Sequence, residues 1–248
     1  MNKELLIQSH RPYPLPDMNW LMTQEWHHTL FAHWPVPSAS LREHVPRELE
    51  IDTFDGSAWI GIVPFKVKNT HGRMTPPIPF FSSYVEVNVR TYVSYGPRSG
   101  VYFFTLDANQ LLAVIGAKAV FGLNYKQANI DFQEKDYFEL HSKRVPAGDV
   151  NAKLSLRYKP SSDIFFAEQG TLEHWFTERY CLWTKRGSKL VRGDIHHTKW
   201  ELQRANAELS QEMLIPFINQ DLLTKPPLLH YNKYKKAFFW PPKLEKQL

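Results

Sequence analysis

The sequence lacks the features that mark secreted or membrane-spanning proteins. Cys181 is its one cysteine, so an intramolecular disulfide is excluded and a reducing compartment poses no difficulty. No apolar run approaches the roughly 20 residues that a bilayer-spanning helix needs. Near the N-terminus the apolar run is only Leu5-Leu6-Ile7, which is far too short for a signal peptide. We therefore expect a cytoplasmic protein with no membrane partner.

Common catalytic and metal-binding motifs are also absent. The sequence contains no Gly-x-Ser-x-Gly elbow, no P-loop and no dinucleotide fingerprint, and we expect no cofactor. Its 11 histidines include no His-x-x-x-His spacing. His196 and His197 are adjacent, so on a strand they would point to opposite faces and could not bind one ion together. The sequence therefore predicts no metal site.

Charge does not single out a polyanionic partner. The formal net charge is +5 and the sequence pI is near 9.1. The basic residues are dispersed, however, and the densest run is only Lys233, Lys235 and Lys236. A solvated basic surface explains this pattern better than a nucleic-acid footprint does. We expect no nucleic-acid partner, and the sequence leaves a homo-oligomer open.

What the chain has in abundance is strand signal. From residue 83 to 93 the alternation is strict, with valines on one face and polar or aromatic side chains on the other. Residues 101–106 form a continuous apolar run that predicts a buried strand. A hairpin is predicted across Arg186-Gly187-Ser188. Further strands are predicted at 58–67, 127–132, 137–142, 154–158, 181–184 and 190–195.

Helix signals are fewer. Asp107 or Asn109 can cap a helix that runs to about Phe121, and Thr171 can cap another that runs to about residue 179. A weaker helical pattern covers residues 203–221. Many strands with two or three helices indicate a mainly β fold, tending to α+β. With no linker or internal repeat in the sequence, we expect one domain spanning residues 1–248.

Several segments, taken together and in order, resemble the uncharacterised bacterial YqjF-like family of the acetoacetate decarboxylase-like superfamily. They are MTQEWH at 22–27, FAHWPVP at 31–37, DTFDG at 52–56, EVNVRTYV at 86–93, GVYFF at 100–104, TERYC at 177–181 and HH at 196–197. This resemblance covers nearly the whole chain. It implies an antiparallel, barrel-like β-core around a small cavity, which alternation alone cannot distinguish from a sandwich.

The same resemblance bears on the reaction. The decarboxylase motif Gly-Arg-Glu-Ile-Tyr-Gly-Phe-Pro-Lys-Lys carries the lysine that forms a Schiff base, followed by a cationic neighbour. Residues 117–126 of this chain match it, with Tyr125 in place of the reactive lysine and Lys126 in place of its neighbour. A phenol cannot condense with a ketone, so decarboxylation through an iminium is not expected. The superfamily's Tyr-x-Glu motif is retained as Tyr84-Val85-Glu86.

Candidate pocket residues follow from the 83–93 strand. Glu86, Arg90 and Tyr92 share one face, so a carboxylate, a fixed cation and a phenol would converge if that face lines a cavity. If the face is instead solvated, Glu86 and Arg90 merely pair. The family resemblance favours the cavity. Tyr84 lies on the same face, and His33 or His197 could add a donor or proton acceptor.

Lys118 is the unusual residue of the predicted 107–121 helix. It lies mid-stripe on the apolar face. It is either a cation paired with a carboxylate such as Glu86 or a buried amine that replaces the missing nucleophile. An arginine, which cannot be a nucleophile, is common at the matching place in the family, and this favours the paired cation.

The sequence thus predicts a protein with a small-molecule pocket. Its ligand would be anionic or carbonyl-bearing, bound by Arg90 and Lys126, with Glu86 or Tyr125 as proton donor or acceptor. Any reaction would be lyase- or isomerase-like without the lysine Schiff base. The alternative is a non-catalytic sensor or protein-interaction module.

Overall fold

The computed structural model describes residues 2–77, 82–110, 122–145 and 151–245. Thirteen strands occur in these ranges: β1 (Met22–Val36), β2 (Glu50–Ile51), β3 (Ala58–Gly72), β4 (Tyr84–Tyr95), β5 (Arg98–Ala108), β6 (Tyr125–Glu134), β7 (Phe138–Arg144), β8 (Lys153–Pro160), β9 (Cys181–Arg186), β10 (Lys189–His196), β11 (Gln203–Glu212), β12 (Leu228–Phe239) and β13 (Lys243–Leu244). Three short α-helices accompany them: α1 (Ala39–Arg42), α2 (Leu172–Thr177) and α3 (Gln220–Thr224). None of the described helices is long and apolar enough to cross a membrane.

The sheet closes on itself in two ways. Its strand order is β13-β10-β9-β5-β6-β7-β8-β11-β12-β1-β3-β4-β2, with extra pairings of β5 with β4 and of β10 with β12. The first extra pairing closes a nine-stranded barrel from β5 round through β6, β7, β8, β11, β12, β1, β3 and β4. Together the two pairings also close a seven-stranded ring through β9 and β10. Strands β1, β3, β4, β5 and β12 are therefore common to both closures and form a shared wall.

The two faces of this shared wall belong to different closures. On β4, Val85, Val87 and Val89 pack into one core cluster with Leu154 and Leu156 of β8, which fills the nine-stranded barrel. Alternate residues of β4 point the other way, toward β9 and β10. The wall strands bury apolar side chains on both of their faces. Because both faces are removed from water, this burial stabilises the wall strands strongly.

The mainly β fold with an antiparallel, barrel-like core is confirmed. Two strand pairings are parallel, β5 with β6 and β5 with β9. The hairpin of β9 and β10 is confirmed, with Gly187 at φ +58° in its turn. Thr171 caps α2 as predicted, accepting a hydrogen bond from the His174 N–H. That helix ends at Thr177, earlier than expected.

The predicted helix over 203–221 is wrong. Residues Gln203–Glu212 form strand β11, which pairs with β8 over eight consecutive residues, and only the short α3 follows. Pairing supplies the backbone hydrogen bonds that an isolated helix would otherwise provide. The strand also has a period of two, since Ala205, Ala207 and Leu209 are more buried than the residues between them.

The helix predicted over 107–121 falls largely on residues 111–121, which lie outside the described residues. The two residues proposed as its N-cap make other interactions. Asp107 belongs to β5 and its carboxylate binds Arg144. The side-chain oxygen of Asn109 accepts from the Val85 N–H.

Candidate active site

A cavity of about 100 Å³ lies inside the seven-stranded ring. This volume suits a molecule of a few heavy atoms rather than a dinucleotide. Its aromatic lining residues are Trp26, Phe31, Phe65, Phe103, Phe176, Trp200 and Phe239. Its polar lining residues are Gln24, Thr29, Glu86, Asn88, Arg90, Tyr125, Thr177, Arg179, Cys181 and His197.

Strand β4 places three of these polar side chains in a row. Glu86, Asn88 and Arg90 are two residues apart, so the strand's alternation directs all three into the cavity while the valines between them enter the barrel core. Glu86 and Asn88 are almost completely buried. A row of buried polar groups needs hydrogen-bond partners. Tyr125 of β6 provides one for Glu86, whereas Asn88 Oδ1 and Arg90 Nε have none among the described residues.

Glu86 is a buried carboxyl group in the lining of the cavity. The Tyr125 hydroxyl donates to Glu86 Oε2 across 2.8 Å, and both this bond and the nearby Asn88 amide lower the pKa of Glu86. Burial outweighs them and raises the pKa of Glu86 to about 7. A carboxyl group with this pKa can give or take a proton near neutral pH.

A series of hydrogen bonds leads from Trp26 towards the Glu86 carboxyl group. Trp26 Nε1 donates to Gln24 Oε1 at 2.9 Å, and Gln24 Nε2 donates to the Tyr84 hydroxyl at 3.0 Å. The Tyr84 and Tyr125 phenols influence each other's pKa, and the Tyr125 proton is directed at Glu86 Oε2. Glu86 Oε2 is therefore an acceptor while the carboxyl group is ionised.

The other end of the row is cationic. Arg90 Nη2 donates to the Tyr92 hydroxyl at 3.2 Å, and that hydroxyl lies 2.6 Å from His33 Nε2. Complete burial and the charge of Arg90 hold the pKa of His33 well below its ordinary value, so His33 is neutral and accepts from Tyr92. Tyr92 and His33 stand behind Arg90 and orient it, rather than lining the cavity themselves.

Arg179 adds a second guanidinium group. Its Nη1 binds Asp52 Oδ2 at 2.5 Å, and its Nε donates to the Trp175 carbonyl at 2.6 Å. Arg90 and Arg179 lie over the same Tyr92 ring, 5.6 and 5.1 Å from its centroid. Arg90 Nε and Arg179 Nη2 have no partner among the described residues. Two partly unpaired guanidinium groups in one cavity favour an anion.

The remaining predicted site residues differ in whether they line the cavity. His197 lines the cavity, and burial holds its pKa well below the ordinary value. Tyr84 contributes through Gln24 and Tyr125 without lining the cavity. Lys126 does not line it, since it follows the inward-facing Tyr125 on β6. Lys118 lies outside the described residues.

Asn88, Gln24 and Arg179 are candidate site residues that were not predicted. Asn88 could have been found, because it shares the strand face of Glu86 and Arg90. Gln24 and Arg179 lie in segments that carry the family resemblance, but only the folded chain brings β1 and the residue after α2 to the same cavity. His27, His28 and His33 belong to the long strand β1. Among the described residues, no three His, Cys, Asp or Glu side chains come together as a metal site would require.

The raised pKa of Glu86 predicts how stability depends on pH. The folded chain holds a proton that the unfolded chain releases above about pH 4.3. The contribution of Glu86 to the free energy of unfolding therefore falls by up to about 4 kcal/mol as pH rises from about 4 through 7. Glu86→Gln should remove this loss, so the variant gains stability relative to the parent between pH 5 and pH 8, as urea unfolding would measure. Exposed Glu208→Gln is the control. An equal difference at both pH values would contradict the prediction.

Comparison with known proteins places the chain in a family. Residues 23–235 match the model of DUF2071, described as an uncharacterized conserved protein. The chain belongs to this family. The uncharacterized protein YqjF of Bacillus subtilis (strain 168) is 43% identical over 228 residues, covering 92% of this chain and 93% of YqjF. The predicted family membership is thereby confirmed.

Solved structures show that this chain is similar in fold to acetoacetate decarboxylase-like enzymes. An acetoacetate decarboxylase-like enzyme from Sphingomonas wittichii RW1 superposes with a TM-score of 0.62 at 12% identity, over 96% of this chain and 99% of the enzyme. The enduracididine biosynthesis enzyme MppR, complexed with pyruvate, gives a TM-score of 0.57 at 11% identity over 93% of each chain. At such identity the likeness shows the fold alone.

Proposed function

We propose that the chain binds a small carboxylate, with or without a second carbonyl group, in the cavity of the seven-stranded ring. Arg90 and Arg179 would hold the carboxylate, and Glu86 with Tyr125 would exchange a proton with the ligand. The observation that carries this proposal is that two guanidinium groups and a carboxyl group with a pKa of about 7 converge on one enclosed space. The pyruvate complex of MppR, which shares the fold, is consistent with it.

The proposed chemistry is proton transfer without a Schiff base, of a lyase or isomerase type. In support, the described lining of the cavity includes no lysine. We propose that Tyr125 stands where the decarboxylase fold carries its reactive lysine, as the sequence resemblance implies. Burial and the Glu86 carboxylate raise the pKa of Tyr125 well above its ordinary value, so its phenol stays protonated. It would serve as a fixed donor that keeps Glu86 aimed at the ligand.

Ligand binding tests this proposal directly. Pyruvate and acetoacetate should raise the melting temperature of the parent chain, because a ligand that binds only the folded state stabilises it. Arg90→Ala should weaken binding at least about tenfold in isothermal titration, since a charge-assisted hydrogen bond contributes roughly 1.5–3 kcal/mol.

Arg157→Ala is the matched control, because Arg157 lies exposed on β8 and stacks on Tyr137 outside the cavity. It should bind as the parent does. Equal affinity of the parent and Arg90→Ala, or no stabilisation by these acids or by the corresponding hydroxy acids, would contradict the proposed anion site. Release of carbon dioxide or exchange of a ligand proton with solvent would then distinguish turnover from binding alone.

A further inference from the structure

Asn88 has an acceptor that nothing in the described chain satisfies. It lies midway between Glu86 and Arg90 in the β4 row, lines the cavity and is 2% exposed. The Asn88 amide favours the ionised form of the neighbouring Glu86. Its Oδ1 is buried and has no hydrogen-bond partner among the described residues. A buried acceptor without a partner costs about 1–3 kcal/mol, so a partner is to be expected from elsewhere.

The charge of Glu86 bears on which end of the Asn88 amide remains without a partner. The NH₂ end is the one that favours an ionised Glu86, and Oδ1 is the buried end that has no partner among the described residues. The reversed amide would bring Asn88 Oδ1 against an ionised carboxylate, which is repulsive. The Thr29 hydroxyl, also buried, without a described partner and lining the cavity, adds a second group able to accept.

The guanidinium end has the opposite character. Arg90 Nε and Arg179 Nη2 are donors without described partners. Residues two apart on one face of a strand are separated by roughly 7 Å, so the acceptor of Asn88 and the donors of Arg90 can meet neighbouring parts of one short molecule. Such a molecule needs an anionic group at one point and a hydrogen-bond donor close beside it.

We propose that the cavity selects a short-chain hydroxy acid over the corresponding oxo acid, with the carboxylate on Arg90 and Arg179 and the hydroxyl donating to Asn88 Oδ1. This inference rests on the proposed function, whose anion site it uses. A hydroxyl group can donate to Oδ1, whereas a ketone oxygen can only accept and would leave Oδ1 unpaired. A site built to bind a hydroxyl rejects the analogue that lacks it, because its own polar group is then stranded.

Matched pairs of acids test the selection. Lactate and pyruvate, and 3-hydroxybutyrate and acetoacetate, differ only in a hydroxyl or a ketone at one carbon. Isothermal titration at about pH 8.5 keeps Glu86 ionised and the Asn88 amide in one orientation. In at least one pair the hydroxy acid should bind about tenfold or more tightly than its oxo partner, the effect of one net hydrogen bond of about 1.4 kcal/mol.

Asn88→Ala should bring that ratio close to one while both acids still bind, since the arginines remain. Asn88→Ser, whose hydroxyl can accept or donate, should give an intermediate ratio and serves if the alanine variant does not fold. An oxo acid that binds as tightly as its hydroxy partner, or a ratio that Asn88→Ala leaves unchanged, would overturn the selection while leaving the anion site intact. Failure of all four acids, or binding that Arg90→Ala does not weaken, would overturn the proposed function itself and this inference with it.

Discussion

Borohydride added to the chain together with acetoacetate or acetopyruvate should leave no covalent adduct. An iminium that borohydride could reduce requires a neutral primary amine at the ligand, and the described cavity lining offers none. Tyr125 holds the proposed place of the reactive lysine, and Lys126 does not line the cavity. Mass spectrometry of the digested chain would reveal any modified peptide, and an acetoacetate decarboxylase treated in parallel is the positive control.

The position of an adduct would show which assumption failed. Modification of Lys118 would indicate that the nucleophile lies in the predicted helix and would restore a decarboxylase or aldolase reaction. Modification of Lys126 would mean that the matched register is off by one. Lys235 is a buried lysine whose pKa burial lowers to about 8, but its Nζ is held by the Lys199 carbonyl and the Thr198 hydroxyl. An adduct there would indicate that the structure opens near Trp200 and gives the ligand access to Lys235.

Arg144→Met should destabilise the fold by about 3–5 kcal/mol. Arg144 on β7 donates to both carboxylate oxygens of Asp107 on β5, at 2.8 to 3.2 Å, and Asp107 is 1% exposed. Removing the guanidinium leaves a buried charge, and burial already raises the pKa of Asp107 despite this partner. Urea unfolding at pH 7 would measure the loss, which should shrink at low pH where the unpaired Asp107 takes up a proton.

Two further variants isolate the cause. Combining Asp107→Leu with Arg144→Met should recover most of the stability, because neither charge is then stranded. Lys153→Met breaks an ion pair of the same 2.8 Å length with Glu212, but both partners are well exposed. It should change stability by no more than about 1 kcal/mol. A loss below this level for Arg144→Met would contradict the account of the Asp107 site.

Sequence patterns predicted correctly those parts of the fold in which the local preference of the residues matches the structure that tertiary packing imposes. The alternation of β4 gave the right faces, because its valines enter the barrel core and Glu86, Asn88 and Arg90 line the cavity. Strand β1 was missed since its alternation is interrupted near His28, which has φ +54°, at an irregularity in the pairing of β1 with β3. Strand β11 was taken for a helix because alanine, glutamate and leucine favour helices until β8 supplies a pairing partner.

Part of the candidate site was beyond prediction for a different reason. Glu86 and Arg90 belong to one strand, so periodicity places them together. Arg179 reaches the same cavity only through the pairing of β9 with β5, across about 80 residues of sequence. The hydrogen bonds of Gln24 with Tyr84 and of Tyr125 with Glu86 form only when three different strands come together. No single-sequence pattern carries information on such distances.

The shared wall has a consequence for how this family could diversify. The valines of β4 anchor the strand in a filled barrel, while the side chains of Glu86, Asn88 and Arg90 line the cavity. Substitutions at positions 86, 88 and 90 can therefore change what is recognised without touching the packing that keeps the strand in place. Selection could vary ligand preference and folding stability as nearly independent traits, and an engineer could reprogram the cavity from one strand face alone.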